Sequence, residues 1–236
     1  MTNIQAPILL AIDTPDIEIA KNWISITQEY VSGYKLGLEF FYRHGAEGVA
    51  MIKNSYKGDL FLDLKLHDIP NTVGAAVEQL AILSPKFLTV HSSGGTSMIR
   101  AAVESAPNVD ITAVTILTSL DSAEVRQIGF AAPPLESSVK LAILAKSAGA
   151  RAIVCSPLEI TAIRSAVGPD LSIIVPGIRP ADYPADDQAR TMTPLHAIEA
   201  GATYLVIGRP ITRFWAKGAD AMAEAVSKIA SEMNLA

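Results

Sequence analysis

The chain has few cysteines, aromatics and charges, and each shortage excludes something. Cys155 is the single cysteine among 236 residues, so an intrachain disulfide and a multi-cysteine metal site are both excluded. It follows the apolar triplet Ala152-Ile153-Val154 and reads as a small core residue rather than a nucleophile. Charged residues make up 18% and aromatics 6%, against 50% hydrophobic, enough for a sizeable core. No apolar run approaches the ~18 residues of a membrane span. The N-terminus lacks the basic segment and apolar stretch of a signal peptide. The formal net charge is −5, without the basic surplus of a nucleic-acid binder, although a local Lys/Arg cluster would still hold a small anion. His44, His67, His91 and His196 are scattered with no paired ligand spacing, so metal is not indicated. The expectation is a soluble cytoplasmic protein that binds neither membrane nor nucleic acid.

What is there is an alternation. Short β-branched or apolar runs predict strands at Ile8–Asp13, Tyr34–Leu38, Leu60–Leu66, Phe87–His91, Ile111–Thr118, Ala152–Ser156, Ile173–Pro176 and Tyr204–Gly208. Between them, helical patterns include Asp16–Val31, Thr72–Leu83, Ser97–Ser105, Leu135–Ser147, Leu158–Ala166 and Pro194–Ala200, and a last helix starts at Arg213. Eight strand-then-helix units in one stretch of this length predict a single-domain (β/α)8 TIM barrel over residues 1–236. A doubly wound open sheet is the rival, but it usually carries a Gly-rich turn after its first strand, and Ala11-Ile12-Asp13-Thr14-Pro15 has no glycine. Gly33, Gly149 and Gly201 each precede a predicted strand, as left-handed helix C-caps would.

Active sites of such barrels lie at the C-terminal strand ends. Those ends here carry Asp13, Lys35, Asp63 with Lys65, Thr115–Ser119, Pro176-Gly177-Ile178-Arg179 and Gly208-Arg209. Strands one to three are neighbours, so Asp13, Lys35, Asp63 and Lys65 converge with alternating signs. A buried unpaired charge costs several kcal/mol, and alternation is what makes burial tolerable. One such pair would read as a register-fixing ion pair; a set on adjacent strands reads as chemistry. Two charges ~4 Å apart interact by about 4 kcal/mol at an effective dielectric near 20. Flanking carboxylates therefore favour a protonated Lys65, a cation and proton donor rather than a Schiff-base amine. Gly208 and Arg209, after the last strand, fit the place where this fold often binds phosphate. The Pro- and Asp-rich stretch from Gly177 to Thr191, containing Arg179 and Gln188, reads as a functional lid or a solvated surface excursion. His91 either lines the site or is a hydrogen-bonded structural histidine, the simpler reading.

The segment Asp63-x-Lys65-x-x-Asp68-Ile69-Pro70-Asn71-Thr72-Val73 resembles the signature of the orotidine 5'-phosphate decarboxylase family, bacterial type. Thr-Ile-Leu-Thr-Ser at 115–119, Pro-Gly-Ile-Arg-Pro at 176–180, Asp-Asp-Gln-Ala-Arg at 186–190 and Leu-Val-Ile-Gly-Arg-Pro-Ile-Thr at 205–212 are similar to further motifs of it. The first motif is shared with a wider decarboxylase and aldolase superfamily; the set is specific. The resemblance implies decarboxylation of orotidine 5'-phosphate to UMP, without cofactor. It implies Lys65 as proton donor to pyrimidine C6, flanked by Asp63, and Lys35 in the charged network and at the ribose. Asp13, Ile69, Thr118 and Pro176 would bind the nucleotide, and Arg179, Gln188, Gly208 and Arg209 its phosphate side. Asp68 and Thr72 would reach the partner's site in a homodimer. A magnesium-dependent enzyme of the same superfamily and a non-catalytic phosphate-ligand binder are the competing functions.

Overall fold

Short aliphatic runs pair side by side as parallel strands in a computed structural model that describes residues 5–180, 183 and 191–233. In chain order the elements are β1 (Ala6–Ile12), α1 (Ile17–Thr27), β2 (Val31–Gly37), α2 (Leu38–Ser55), β3 (Asp59–Leu66), α3 (Pro70–Ala81), β4 (Phe87–His91), α4 (Gly95–Ser105) and β5 (Asp110–Val114). They continue as α5 (Ser122–Gln127), α6 (Pro134–Ser147), β6 (Ala152–Val154), α7 (Ile160–Val167), β7 (Ser172–Val175), α8 (Pro194–Glu199), β8 (Tyr204–Ile207), α9 (Arg209–Thr212) and α10 (Ala219–Met233). The strands pair in sequence order and β8 closes on β1, making the (β/α)8 barrel and excluding the open sheet. Among the described residues no helix is long and apolar enough to cross a membrane.

Closure buries both faces of every strand, which is why the runs are almost continuously apolar. One face packs outward under the helices, as Ile8, Leu10 and Ile12 of β1 and Leu60 and Leu62 of β3 do. The other fills the barrel with Leu9, Phe61, Phe87, Ala152 and Ile174, against which Val154, Tyr204 and Val206 pack. Each such side chain contributes about 1.5–3 kcal/mol on full burial. Strand alternation then fixes the inward set: Phe61, Asp63 and Lys65 on β3, Phe87, Thr89 and His91 on β4. Near the strand starts Lys86 closes on Asp59 Oδ2 at 2.5 Å and on the Tyr204 hydroxyl at 2.9 Å. The opposite end, at the strand C-termini, carries the second group of charges.

Three local expectations need correction. Gly33 is no helix cap: α1 already ends at Thr27, and Gly33 lies within β2. A Cβ there would stand only 2.1 Å from the Asp59 carbonyl oxygen, so its role is close backbone approach to β3. Gly149 and Gly201 do take positive φ, 98° and 109°. The fifth strand stops at Val114, leaving Thr115–Thr118 in the connection that follows. The helix of the second strand-then-helix unit, given no bounds above, is α2, interrupted at Gly45 (φ 61°).

Candidate active site

At the strand C-termini the charges form a chain. Lys35 Nζ lies 3.2 Å from Asp13 Oδ1 and 3.6 Å from Asp63 Oδ2, and Lys65 Nζ lies 2.7 Å from Asp63 Oδ1. Burial deepens toward the middle: the side chains of Lys35 and Asp63 are 11% and 15% exposed, those of Lys65 and Asp13 30% and 64%. Burial alone would push the Lys35 ammonium toward neutrality, yet Asp63 and then Asp13 outweigh it and hold its pKa above the usual lysine value. Burial likewise opposes ionisation of Asp63, but Lys35, Lys65 and the Lys65 and Thr89 hydrogen bonds hold it below the usual carboxylate range. Asp63 is thus an anion shared between two cations.

The strand geometry that presents Lys65 is irregular. Register between β3 and β4 runs Leu62 to Leu88 and then Leu66 to Val90, four steps against two. The two additional β3 residues form a bulge, a device that re-aims side chains beside active sites. Lys65 sits in it at φ 50°, in the left-handed region that a side chain seldom adopts. Its N–H donates to Thr89 Oγ1 at 2.8 Å. Gly37, two residues beyond Lys35 on the same face, leaves room for the ammonium: a Cβ there would be 3.1 Å from Lys35 Nζ.

Lys35, Asp63 and Lys65 line one cavity with Thr118, Pro176 and an apolar wall of Phe61, Val114, Ile116, Leu117, Val154 and Val206. Its volume of ≈ 180 Å³ is room for a heterocyclic ring. Gly208 lies against the end of β1, where a Cβ would stand 3.2 Å from Ala11 Cβ and 3.7 Å from Asp13 Oδ2. Arg209 is exposed on the first residue of α9. Arg179 is buried, and its N–H donates to the Met192 carbonyl at 3.0 Å. Gln188, and with it most of the expected lid, lies outside the described residues.

Asp68, Ile69 and Thr72 are not brought to this cavity. Asp68 Oδ1 accepts from the Ile69 N–H at 2.6 Å, and all three residues are exposed at the start of α3. Ile69 is 65% exposed, an apolar side chain left bare beside the charges. His91 faces His67 at 5.4 Å between ring centroids. Burial, then His67 and Lys65, keep His91 below the usual imidazole range, against the pull of Asp63. Among the described residues no three His, Cys, Asp or Glu side chains are grouped to hold a metal ion. Sequence reasoning missed Thr89 and Gly37. Thr89 reads as an ordinary β-branched strand residue; the alternation Lys35-x-Gly37 was the available signal for the glycine.

A family model described as Orotidine 5'-phosphate decarboxylase / HUMPS family matches residues 6–225. The chain is 51% identical over 218 residues to an orotidine 5'-phosphate decarboxylase of Thermobifida fusca, covering 92% of this chain and 94% of that one. It is 44% identical to one from Paramagnetospirillum magneticum, covering 97% and 99%. A crystal structure of the Lactobacillus acidophilus orotidine 5'-phosphate decarboxylase superposes with a TM-score of 0.80 at 33% identity, covering 95% and 99%.

Proposed function

Because the chain belongs to the orotidine 5'-phosphate decarboxylase / HUMPS family, we propose that it decarboxylates orotidine 5'-phosphate to UMP and CO2 in pyrimidine biosynthesis, in the cytoplasm, without metal or cofactor. The observation that carries this reading is the alternating Asp13, Lys35, Asp63, Lys65 array opening on a ring-sized cavity.

Loss of CO2 leaves an electron pair on ring carbon C6. Lys65 stabilises that charge as a fixed cation, then donates a proton from Nζ to C6. Fixed charge aimed where charge develops is worth most beside apolar walls, and Phe61, Val114, Val154 and Val206 supply them. Asp63 holds the Lys65 ammonium in place, and Lys35 holds Asp63 while reaching the ribose with Asp13. Thr118 and Pro176, which line the cavity, contact the pyrimidine end. The cavity takes the ring, so the phosphate lies outside it, on Arg179, Gln188, Gly208 and Arg209. Binding energy from that remote group orients the ring for reaction.

Asp68 and Thr72, which do not line their own chain's cavity, serve the second subunit's site in a homodimer. The exposure of Ile69 beside them agrees with a surface that a second copy covers.

The test is a spectrophotometric assay with orotidine 5'-phosphate in excess chelator. Wild type is expected to turn over undiminished, and Lys65→Ala to lose about 10³-fold or more while still binding UMP. Loss of wild-type activity in chelator, restored by magnesium, would overturn the metal-free reading. Normal turnover by Lys65→Ala would overturn the lysine's role.

A further inference from the structure

The carbonyl and amide groups of a regular strand satisfy each other across the ladder, and β3 gives that up at Lys65. The residue stands in a two-residue bulge at φ 50°, a strained conformation for a side-chain-bearing residue. The acceptor for its N–H is the Thr89 hydroxyl, at 2.8 Å, on the neighbouring strand. Thr89 is fully buried. Its single hydroxyl proton has two acceptors in reach, the Leu62 carbonyl at 3.5 Å and, nearer, Asp63 Oδ1 at 3.2 Å, the oxygen that also accepts from Lys65 Nζ at 2.7 Å. Backbone N–H, hydroxyl, carboxylate and ammonium close into one ring in which Thr89 touches both ends of Lys65's support.

We infer that Thr89 is a positioning residue for decarboxylation: its hydroxyl holds the Lys65 backbone in the left-handed bulge and the Asp63 carboxylate against the Lys65 ammonium. This rests on Lys65 being the proton donor. A threonine that only filled space would be replaced by valine, nearly its isostere, with little change in the reaction. A threonine that positions Lys65 would not. Without the hydroxyl the Lys65 N–H loses its acceptor, the bulge is free to relax toward a regular strand, and Asp63 loses one of the donors favouring its anion.

The experiment compares Thr89→Val and Thr89→Ser with wild type and Lys65→Ala. Thr89→Val is expected to lose about 10- to 100-fold in kcat, the scale of an ångström-sized misplacement, with little change in KM or in UMP affinity. The acid limb of its kcat profile moves to higher pH, because the donor lost from Asp63 favoured the charged form. The Lys65 amide exchanges faster with deuterated water. Thr89→Ser, which keeps the hydroxyl, recovers most of the kcat and the wild-type acid limb. Wild-type kcat and acid limb in Thr89→Val, or equal damage in Thr89→Ser and Thr89→Val, would overturn the inference. If Thr89→Val does not fold, Thr89→Cys against Thr89→Ser makes the same contrast, a poor hydrogen-bonding group against a good one in similar volumes, and equal kcat would overturn it. Normal turnover by Lys65→Ala would instead sink the assignment of the site; an inactive Lys65→Ala beside an unimpaired Thr89→Val sinks the role of Thr89 alone.

Discussion

Replacing Asp63 by asparagine is the sharpest test of how the charged array is held. The change is isosteric and keeps an oxygen for the Thr89 hydroxyl, so packing is preserved while the charge goes. Lys35 Nζ is 3.6 Å from Asp63 Oδ2, an attraction of about 4–5 kcal/mol at an effective dielectric near 20. The remaining partner of Lys35 is Asp13, whose side chain is 64% exposed and screened by solvent. Lys35 is itself 11% exposed and has little access to water in exchange. Removing one member of a buried pair typically costs 3–5 kcal/mol, and a loss of about that size is expected in urea unfolding near neutral pH, at fixed protein concentration and with an unchanged m-value. The loss has a pH signature. Asp63 has a depressed folded pKa, so its stabilisation is full above the unfolded value of about 3.9 and is lost as pH falls through the lower folded value. Lys35 has a raised one, so its stabilisation is full below about 10.4 and is lost as pH rises through the higher folded value. The gap between wild type and Asp63→Asn should therefore be flat between those limits and narrow at both ends. A loss below about 1 kcal/mol, the level of a surface ion pair, would refute the reasoning, as would a gap that widens in strong alkali.

Arg209→Ala is expected to raise the KM for orotidine 5'-phosphate more than it lowers kcat, since the phosphate is remote from the bond that breaks; an unchanged KM in steady-state kinetics would remove Arg209 from the phosphate site. Lys65→Ala and Asp68→Ala, each inactive alone, are expected to regain about a quarter of wild-type activity when mixed in equal amounts and allowed to exchange subunits, because half the dimers are hybrids with one intact site of two. No recovery despite exchange would place Asp68 in its own subunit's site, and an active Asp68→Ala would place it outside catalysis. Gly37→Ala is expected to change stability by no more than about 1 kcal/mol yet lower turnover several-fold, since the new methyl displaces the Lys35 ammonium; wild-type kcat would show that Lys35 tolerates the shift.

The barrel was legible because burial on two faces leaves a mark that one sequence can carry. Ile8–Ile12 and Leu60–Leu62 have no polar side, and only a parallel sheet covered on both faces uses such runs repeatedly. Lys35, Asp63 and Lys65 stood out for the converse reason, as charges where that pattern forbids them. The extent of the second helix was not legible. Its stretch from Leu38 to Ser55 contains Gly45 and Gly48, leaves Tyr42 83% exposed, and is broken at Gly45 itself. Gly33 misled because a glycine before a strand and a glycine inside one look alike; only the 2.1 Å approach of the Asp59 carbonyl separates them. The bulge at Lys65 had no sign at all. Left-handed positions are usually marked by glycine or asparagine, and here the residue is a lysine whose side chain is needed.

That last point connects strain to chemistry. Had β3 stayed regular, Asp63 and Lys65 would be ordinary alternate residues of one face. The bulge separates the two lysines. Lys35 stays on a regular strand, nearly enclosed and gripped by two carboxylates, suited to holding Asp63 still. Lys65, out of the ladder, keeps a side chain 30% exposed that lines the cavity while remaining 2.7 Å from Asp63. A cation that stabilises developing charge and then gives up a proton must reach the reacting carbon, and a cation that only fixes its neighbour must not move. One carboxylate serves both because the two lysines approach different oxygens of it, Oδ2 from the strand side and Oδ1 from the bulge. The cost of the left-handed lysine is thus tied to the division of labour between two residues of the same type.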